Sequence, residues 1–121
     1  MTRTIRLLIA DDQARARQSI RAWLSAELSL AEVFEAADGL EAIRCVESAV
    51  PDLVVMDARM AGLDGIEATR IIKQQYPHIR VVVLSLYPSY RADALAAGAD
   101  AFITKDEQPE RLLATLTRLI D

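Results

Sequence analysis

Hydrophobic residues in this chain form short continuous runs, separated by segments in which they recur with helical spacing. Four runs are strand-like and cover residues 5–10, 52–57, 80–86 and 100–105. Runs such as LVVM and VVVL are continuous rather than alternating, which is typical of parallel strands covered on both faces. A fifth run, EVFEAA from Glu32, is more polar and predicts an edge strand.

Helical segments follow the strands. In residues 13–28 the apolar side chains fall on one helical face, and Gly98 favours a left-handed cap that ends the fourth helix. The other helices are predicted over 40–50, 66–76, 90–97 and from Pro109 onward. Strand and helix therefore alternate five times, which predicts an α/β fold. We expect one domain over residues 1–121, with a doubly wound, five-stranded parallel sheet of flavodoxin-like order 2-1-3-4-5 and five helices.

Composition narrows the functional classes. The 121 residues are 52% hydrophobic and carry a net charge of -4, so this domain is not expected to bind nucleic acid directly. The single cysteine, Cys45, excludes an internal disulfide. No apolar run is long enough for a membrane span, and the N-terminus does not resemble a signal peptide. These features predict a cytoplasmic protein.

Three carboxylates follow predicted strands. Asp11 and Asp12 end the first strand, and Asp57 ends the third. In this sheet order the carboxyl ends of those strands adjoin the crevice in which ligands bind. Such an acidic cluster suits Mg²⁺, a hard cation that prefers oxygen ligands. For Asp12 alone, a cap on the helix that begins at Gln13 is an equally good interpretation.

Two further strand ends bring donors to the same edge. The fourth run ends at Ser85 and the fifth at Lys105. A hydroxyl and an ammonium beside a cation site suit an anion, and a phosphoryl group fits best because its transfer depends on positioning and charge neutralisation. A carboxylate can act as the nucleophile toward phosphorus, and Asp57 is the most central. The chain has no P-loop, which argues against a bound nucleotide.

These residues, in VVMDARMAGLDG, VVVLS and GADAFITKD, resemble the receiver domain of bacterial two-component response regulators over essentially the whole chain. The resemblance implies that Asp57 accepts a phosphoryl group from a sensor histidine kinase. It also implies that the backbone carbonyl of Arg59 joins the three acids around Mg²⁺, and that Ser85 and Lys105 hold the phosphate oxygens. Phe102 matches an aromatic switch residue that turns inward when the hydroxyl residue moves, although a static core aromatic is the alternative.

The chain departs from the family pattern at three positions. Ala61 replaces a frequent proline, Arg59 stands where asparagine is common, and Asp106 follows Lys105 where many receivers have proline. The Lys-Asp junction resembles receivers linked to LuxR-type helix-turn-helix domains. This implies a transcriptional output domain beyond these residues and a possible homodimer on activation. The Arg59 side chain either folds over the crevice, with Tyr87 stacked beneath it, or lies solvated on the loop.

Three other classes of protein share parts of this pattern. A phosphatase of the haloacid dehalogenase type needs an acid two residues after its nucleophile, but Arg59 and Gln13 occupy those positions after Asp57 and Asp11. An FMN-binding flavodoxin is disfavoured because acids line the crevice. A pseudo-receiver that binds partners without phosphorylation stays open, although Asp57, Ser85 and Lys105 are all present.

Overall fold

The structure, a computed structural model, describes residues 4–107 and 109–120. Five parallel strands form one sheet in the order β2-β1-β3-β4-β5, as predicted. The strands are β1 (Ile5–Ala10), β2 (Leu30–Ala36), β3 (Leu53–Asp57), β4 (Arg80–Ser85) and β5 (Ala101–Thr104). The helices are α1 (Ala14–Glu27), α2 (Gly39–Ala49), α3 (Gly65–Gln75), α4 (Arg91–Ala96) and α5 (Glu110–Ile120). The predicted domain, 1–121, also includes residues 1–3, 108 and 121, which lie outside the described residues.

Two apolar clusters cover the two faces of the sheet, which explains why the strand sequences are continuously hydrophobic. Leu8, Val54 and Val83 face a cluster that includes buried residues of α2, α3 and α4. Their neighbours in sequence point the other way, and Leu7 and Val55 pack in a cluster with buried residues of α1 and α5. The alternation of side chains along each strand therefore divides one hydrophobic run between two cores.

The strand register brings the ends of β1, β3 and β4 to one edge of the sheet. Ala10 pairs with Met56, and Asp57 pairs with Leu84. Just beyond β3, the Ala58 N–H donates to the Leu84 carbonyl at 2.8 Å. Because β3 is the middle strand of five, Asp57 lies at the centre of this edge.

The helices begin in two different ways. Asp38 and Asp64 are the N-caps of α2 and α3, and each accepts the backbone N–H of the glutamate three residues later. Among the described residues no side chain caps α1, whose N-cap residue is Gln13. The interpretation of Asp12 as a cap is therefore wrong. Asp11 instead accepts the Gln13 N–H at 2.9 Å.

The largest differences from the predicted elements lie after β4 and β5. A 3-10 turn, Pro88–Tyr90, precedes a short α4, so the predicted helix over 90–97 begins as a tighter turn. β5 ends at Thr104, and Lys105 begins a second 3-10 turn. The predicted left-handed glycine is confirmed, since Gly98 has a φ of +102°.

No helix within residues 4–107 and 109–120 has the length and apolar character needed to cross a membrane.

Candidate functional site

The three predicted acids meet at the edge of the sheet. Asp11 and Asp12 follow β1, Asp57 ends β3, and one carboxylate oxygen from each lies within 4.8 Å of the others. Asp11 and Asp57 are buried, whereas Asp12 is exposed. Crowded carboxylates repel one another when they are ionised. A divalent cation relieves that repulsion, so this set of oxygen donors fits Mg²⁺.

Lys105 is the basic group of the cluster. Its ammonium lies 3.2 Å from an Asp57 carboxylate oxygen and 3.5 Å from an Asp11 oxygen. Burial by itself lowers the pKa of the Lys105 ammonium, but the Asp57 and Asp11 charges outweigh burial and raise that pKa. Lys105 therefore stays protonated at neutral pH and gives the edge a fixed positive charge.

Asp57 experiences opposing influences. Burial raises the pKa of its carboxyl group most strongly, the Lys105 ammonium lowers it, and the nearby Asp11 charge raises it again. The net result is a raised pKa, because one lysine does not fully compensate for desolvation and a second carboxylate. The ionised Asp57 is thus poorly stabilised by the protein alone, which favours its pairing with a cation.

Ser85 brings a hydroxyl to the same cleft. It is the last residue of β4, is 1% exposed, and its hydroxyl oxygen accepts the Tyr87 N–H at 3.0 Å. Ser85, Asp57 and Lys105 all line a cleft of about 190 Å³. Asp12 and Arg59 line it as well. The structure therefore brings together the acids, the hydroxyl and the ammonium that the sequence singled out.

The Arg59 side chain extends to the start of α4. Its Nη1 donates to the Tyr90 hydroxyl at 2.5 Å, and its guanidinium carbon lies 5.8 Å from the Tyr90 ring centroid. That hydrogen bond raises the pKa of Arg59, which is a cation at all relevant pH values. The expected partner, Tyr87, is not the one beneath the guanidinium; its ring instead meets the Tyr90 ring edge-on at 6.1 Å. Sequence reasoning missed Tyr90 because the 3-10 turn brings it back toward Arg59.

Phe102 is already seated in the core. It is 4% exposed and belongs to the cluster that faces α2, α3 and α4. The Arg91 guanidinium carbon lies 6.0 Å from the centroid of its ring. The Phe102 ring therefore lies inside in this structure, and its expected inward turn on phosphorylation stays a prediction. A role for Phe102 as a switch residue stays a prediction, as does the ligation of a cation by the Arg59 carbonyl.

Two residues that the sequence analysis did not select shape the site. A Cβ added to Gly65 would lie 1.8 Å from the Asp57 carbonyl oxygen, so only glycine lets α3 begin this close to the end of β3. Arg17 donates to the Asp11 carbonyl at 2.7 Å and pairs with Glu35 at 3.0 Å, which secures the backbone where β1 ends. The Asp-Gly pair at the start of α3 was a usable signal for Gly65, but the sequence carries none for Arg17.

Comparison with protein families places most of the chain in one domain family. The response regulator receiver domain matches residues 7–117. The transcriptional regulatory protein YhcZ of Bacillus subtilis, described as uncharacterized, is 40% identical over 113 residues, which cover 92% of this chain and 53% of that protein. The response regulator VraR of Staphylococcus aureus is 40% identical over 106 residues, 84% of this chain and 50% of VraR. The chain thus spans about half the length of these curated relatives.

Solved structures share the fold closely. A LuxR-family two-component response regulator from an Aurantimonas species superposes with a TM-score of 0.90 at 33% identity, covering 97% of this chain and 85% of that one. The chemotaxis protein CheY4 of Vibrio cholerae superposes with a TM-score of 0.83 at 29% identity, covering 97% of this chain and 99% of that one. With its five-stranded parallel sheet, its acidic edge and these matches, the chain belongs to the response regulator receiver domain family.

Proposed function

We propose that Asp57 is the phosphoacceptor of a signalling switch and that its donor is the phosphohistidine of a sensor histidine kinase. The observation that carries this proposal is the setting of Asp57. It is buried at the end of the central strand, 3.2 Å from the Lys105 ammonium and grouped with Asp11 and Asp12. A nucleophilic carboxylate, a fixed cation and additional acidic ligands are the parts that phosphoryl transfer requires.

Transfer involves one bond made and one bond broken. An Asp57 carboxylate oxygen forms a bond to phosphorus while the phosphorus–nitrogen bond of the phosphohistidine breaks, and the departing imidazole keeps the electron pair. The product is an acyl phosphate. Lys105 and the Ser85 hydroxyl neutralise and orient the phosphoryl oxygens. Water later attacks phosphorus while the bond from phosphorus to the Asp57 oxygen breaks, which releases inorganic phosphate and restores the Asp57 carboxylate. The chemistry that we propose is thus the phosphorylation and dephosphorylation of the chain's own side chain.

Asp11, Asp12 and Asp57 would hold Mg²⁺, together with the backbone carbonyl of Arg59. When bound there, Mg²⁺ neutralises charge on the phosphoryl oxygens. The residue two positions after Asp57 is Arg59, a permanent cation, so it cannot supply the acid that a phosphatase of the haloacid dehalogenase type needs. The intact set of Asp57, Ser85 and Lys105 in one cleft favours a phosphorylated receiver over a pseudo-receiver.

The output that we propose is transcriptional. YhcZ is named as a transcriptional regulatory protein, the Aurantimonas protein is named as LuxR family, and the chain spans only about half of its curated relatives. We infer that residues 1–121 form a cytoplasmic receiver unit that acts on a DNA-binding output domain, with a homodimer as the activated form. The conformational change on phosphorylation would reach the surface formed by α4, β5 and α5.

Intact-mass measurement after treatment with acetyl phosphate and Mg²⁺ tests the acceptor assignment. The wild type should gain the mass of one phosphoryl group, and hydroxylamine should remove it because acyl phosphates react with that nucleophile. Asp57→Asn should gain nothing. Asp106→Asn is the matched control, since it removes an exposed acid beside Lys105, and it should behave as the wild type. Equal uptake by Asp57→Asn and wild type would refute the proposal.

A further inference from the structure

Arg59 physically connects the loop after Asp57 to the beginning of α4. Its Nη1 donates to the Tyr90 hydroxyl at 2.5 Å, across 31 positions of sequence, and the guanidinium lies within cation–π distance of the same ring. Arg59 itself is exposed, so little packing restrains its side chain. This flexible cation therefore makes a polar contact between two segments that otherwise meet through the hydrophobic core.

Tyr90 is well placed to transmit a change at its hydroxyl. It ends the 3-10 turn Pro88–Tyr90 and is the residue immediately before α4. Its ring is half-buried and packs against the core cluster that contains Phe102, and its N–H donates to the Tyr87 carbonyl at 3.2 Å. The contact with Arg59 thus fixes the turn from which α4 starts.

Arg59 has a second possible partner in the same cleft. It lines the cleft with Asp57 and Lys105, and its backbone N–H lies 3.4 Å from an Asp57 carboxylate oxygen. A phosphoryl group on Asp57 would bring about two negative charges and strong acceptor oxygens to this position. A guanidinium pairs more strongly with such an anion than with a neutral phenol.

Building on the proposed function, we propose that Arg59 is a positioning residue that exchanges the Tyr90 hydroxyl for the phosphoryl group on Asp57. This exchange releases the segment 88–96 and shields the acyl phosphate. Phosphorylation is thereby coupled to α4 through an arginine.

The test compares two tyrosines of the same segment. Tyr90→Phe removes the hydroxyl that holds Arg59 but keeps the ring and its packing. Tyr87→Phe removes a hydroxyl from the neighbouring ring, which leaves the Arg59–Tyr90 bond in place. Hydrogen exchange of amides 89–97 and the lifetime of the acyl phosphate are measured in both, in Arg59→Met and in the wild type. Each is measured with and without acetyl phosphate at constant Mg²⁺.

We expect Tyr90→Phe to show, without acetyl phosphate, the faster exchange that the wild type shows only when it is phosphorylated. Its acyl phosphate should last longer, by roughly two- to fivefold, because the guanidinium is free to pair with the phosphoryl group. The amides of Arg59→Met should also exchange faster than those of the wild type, but its acyl phosphate should have a shorter lifetime. Tyr87→Phe should match the wild type in both measurements. The lifetime of the acyl phosphate should thus shift in opposite directions in Tyr90→Phe and Arg59→Met. If the Arg59–Tyr90 contact were merely structural, its loss would shift the lifetime in the same direction in both variants.

Measurement of intact mass distinguishes a failure of the proposed function from a failure of this inference alone. A wild type that takes up no phosphoryl group overturns the proposed function, and this inference with it. A wild type that is phosphorylated overturns the inference alone if amides 89–97 respond equally in wild type and Tyr90→Phe. Lifetimes that shift in the same direction in Tyr90→Phe and Arg59→Met also overturn it.

Discussion

The Lys105 ammonium lies 3.2 Å from the Asp57 carboxylate, although 48 positions of sequence separate the two residues. Asp57 ends β3, Lys105 follows β5, and β4 lies between those two strands. Asp57 is buried, and Lys105 keeps a quarter of its side chain exposed. The pair therefore joins a poorly solvated acid to a cation that still reaches the cleft. Because the pKa of Asp57 stays raised despite this contact, the acid is not fully compensated.

Asp57→Asn should stabilise the protein at neutral pH in the presence of EDTA, by roughly 1 kcal/mol. The folded-state pKa of Asp57 is raised, so protonated Asp57 contributes stability that is present below the ordinary pKa of 3.8 and is lost as the pH rises through the raised value. Asparagine does not titrate, so the advantage of the variant should disappear below pH 3.8. Urea unfolding at several pH values measures this, and a variant less stable than wild type at pH 7 would contradict it.

Lys105→Met should have the opposite effect on stability. Removing the ammonium leaves Asp57 and Asp11 facing each other without a cation, which should cost about 1–2 kcal/mol in EDTA. Added Mg²⁺ should narrow the gap from wild type, because it supplies positive charge to the same acids. Arg111→Met, which removes an exposed partner of Glu107, serves as the control and should change stability by less than about 0.5 kcal/mol. Thermal unfolding with and without Mg²⁺ reports both effects.

Asp12→Asn should weaken Mg²⁺ binding more than Asp11→Asn, by about tenfold relative to wild type. Asp12 is exposed and faces the cleft, whereas Asp11 is buried, accepts the Gln13 N–H and lies beside Lys105. Asp11 therefore already has protein partners, and its substitution should reduce stability more than affinity. Calorimetric titration with Mg²⁺ distinguishes the two, and equal, undiminished affinities would argue against the acidic cluster as the cation site.

Gly65→Ala should destabilise the domain by about 2 kcal/mol or more, because the new methyl group would collide with the Asp57 backbone. Gly62→Ala is the comparison. Its φ of +74° makes alanine strained, but its surroundings are open, so the cost should be closer to about 1 kcal/mol. Urea midpoints measure both variants. A loss for Gly65→Ala no larger than that for Gly62→Ala would contradict the expected collision and show that α3 can shift away from β3 at small cost.

The fold class and most of the site could be predicted from the hydrophobic pattern and from the residues at the strand ends. Continuous runs such as LLIA and VVVL can be buried only between two layers, and short connections between alternating elements leave few topologies besides a parallel doubly wound sheet. Once that order is set, the carboxyl ends of the strands converge. Asp11, Asp57 and Ser85 could therefore be assigned to one edge from their positions at strand ends.

The contacts that depend on side-chain direction could not be predicted from the sequence, because they result from packing between distant segments. Whether Asp12 caps α1 depends on which residue takes the extended backbone conformation just before the helix. In the structure that residue is Gln13, and the local sequence does not predict this. Arg59 contacts Tyr90 rather than Tyr87 because of the 3-10 turn that precedes α4. The burial of Phe102 depends on how α4 packs against the sheet. These contacts result from long-range packing. Hydrophobic periodicity predicts which residues are buried, but it does not predict which residues they pack against.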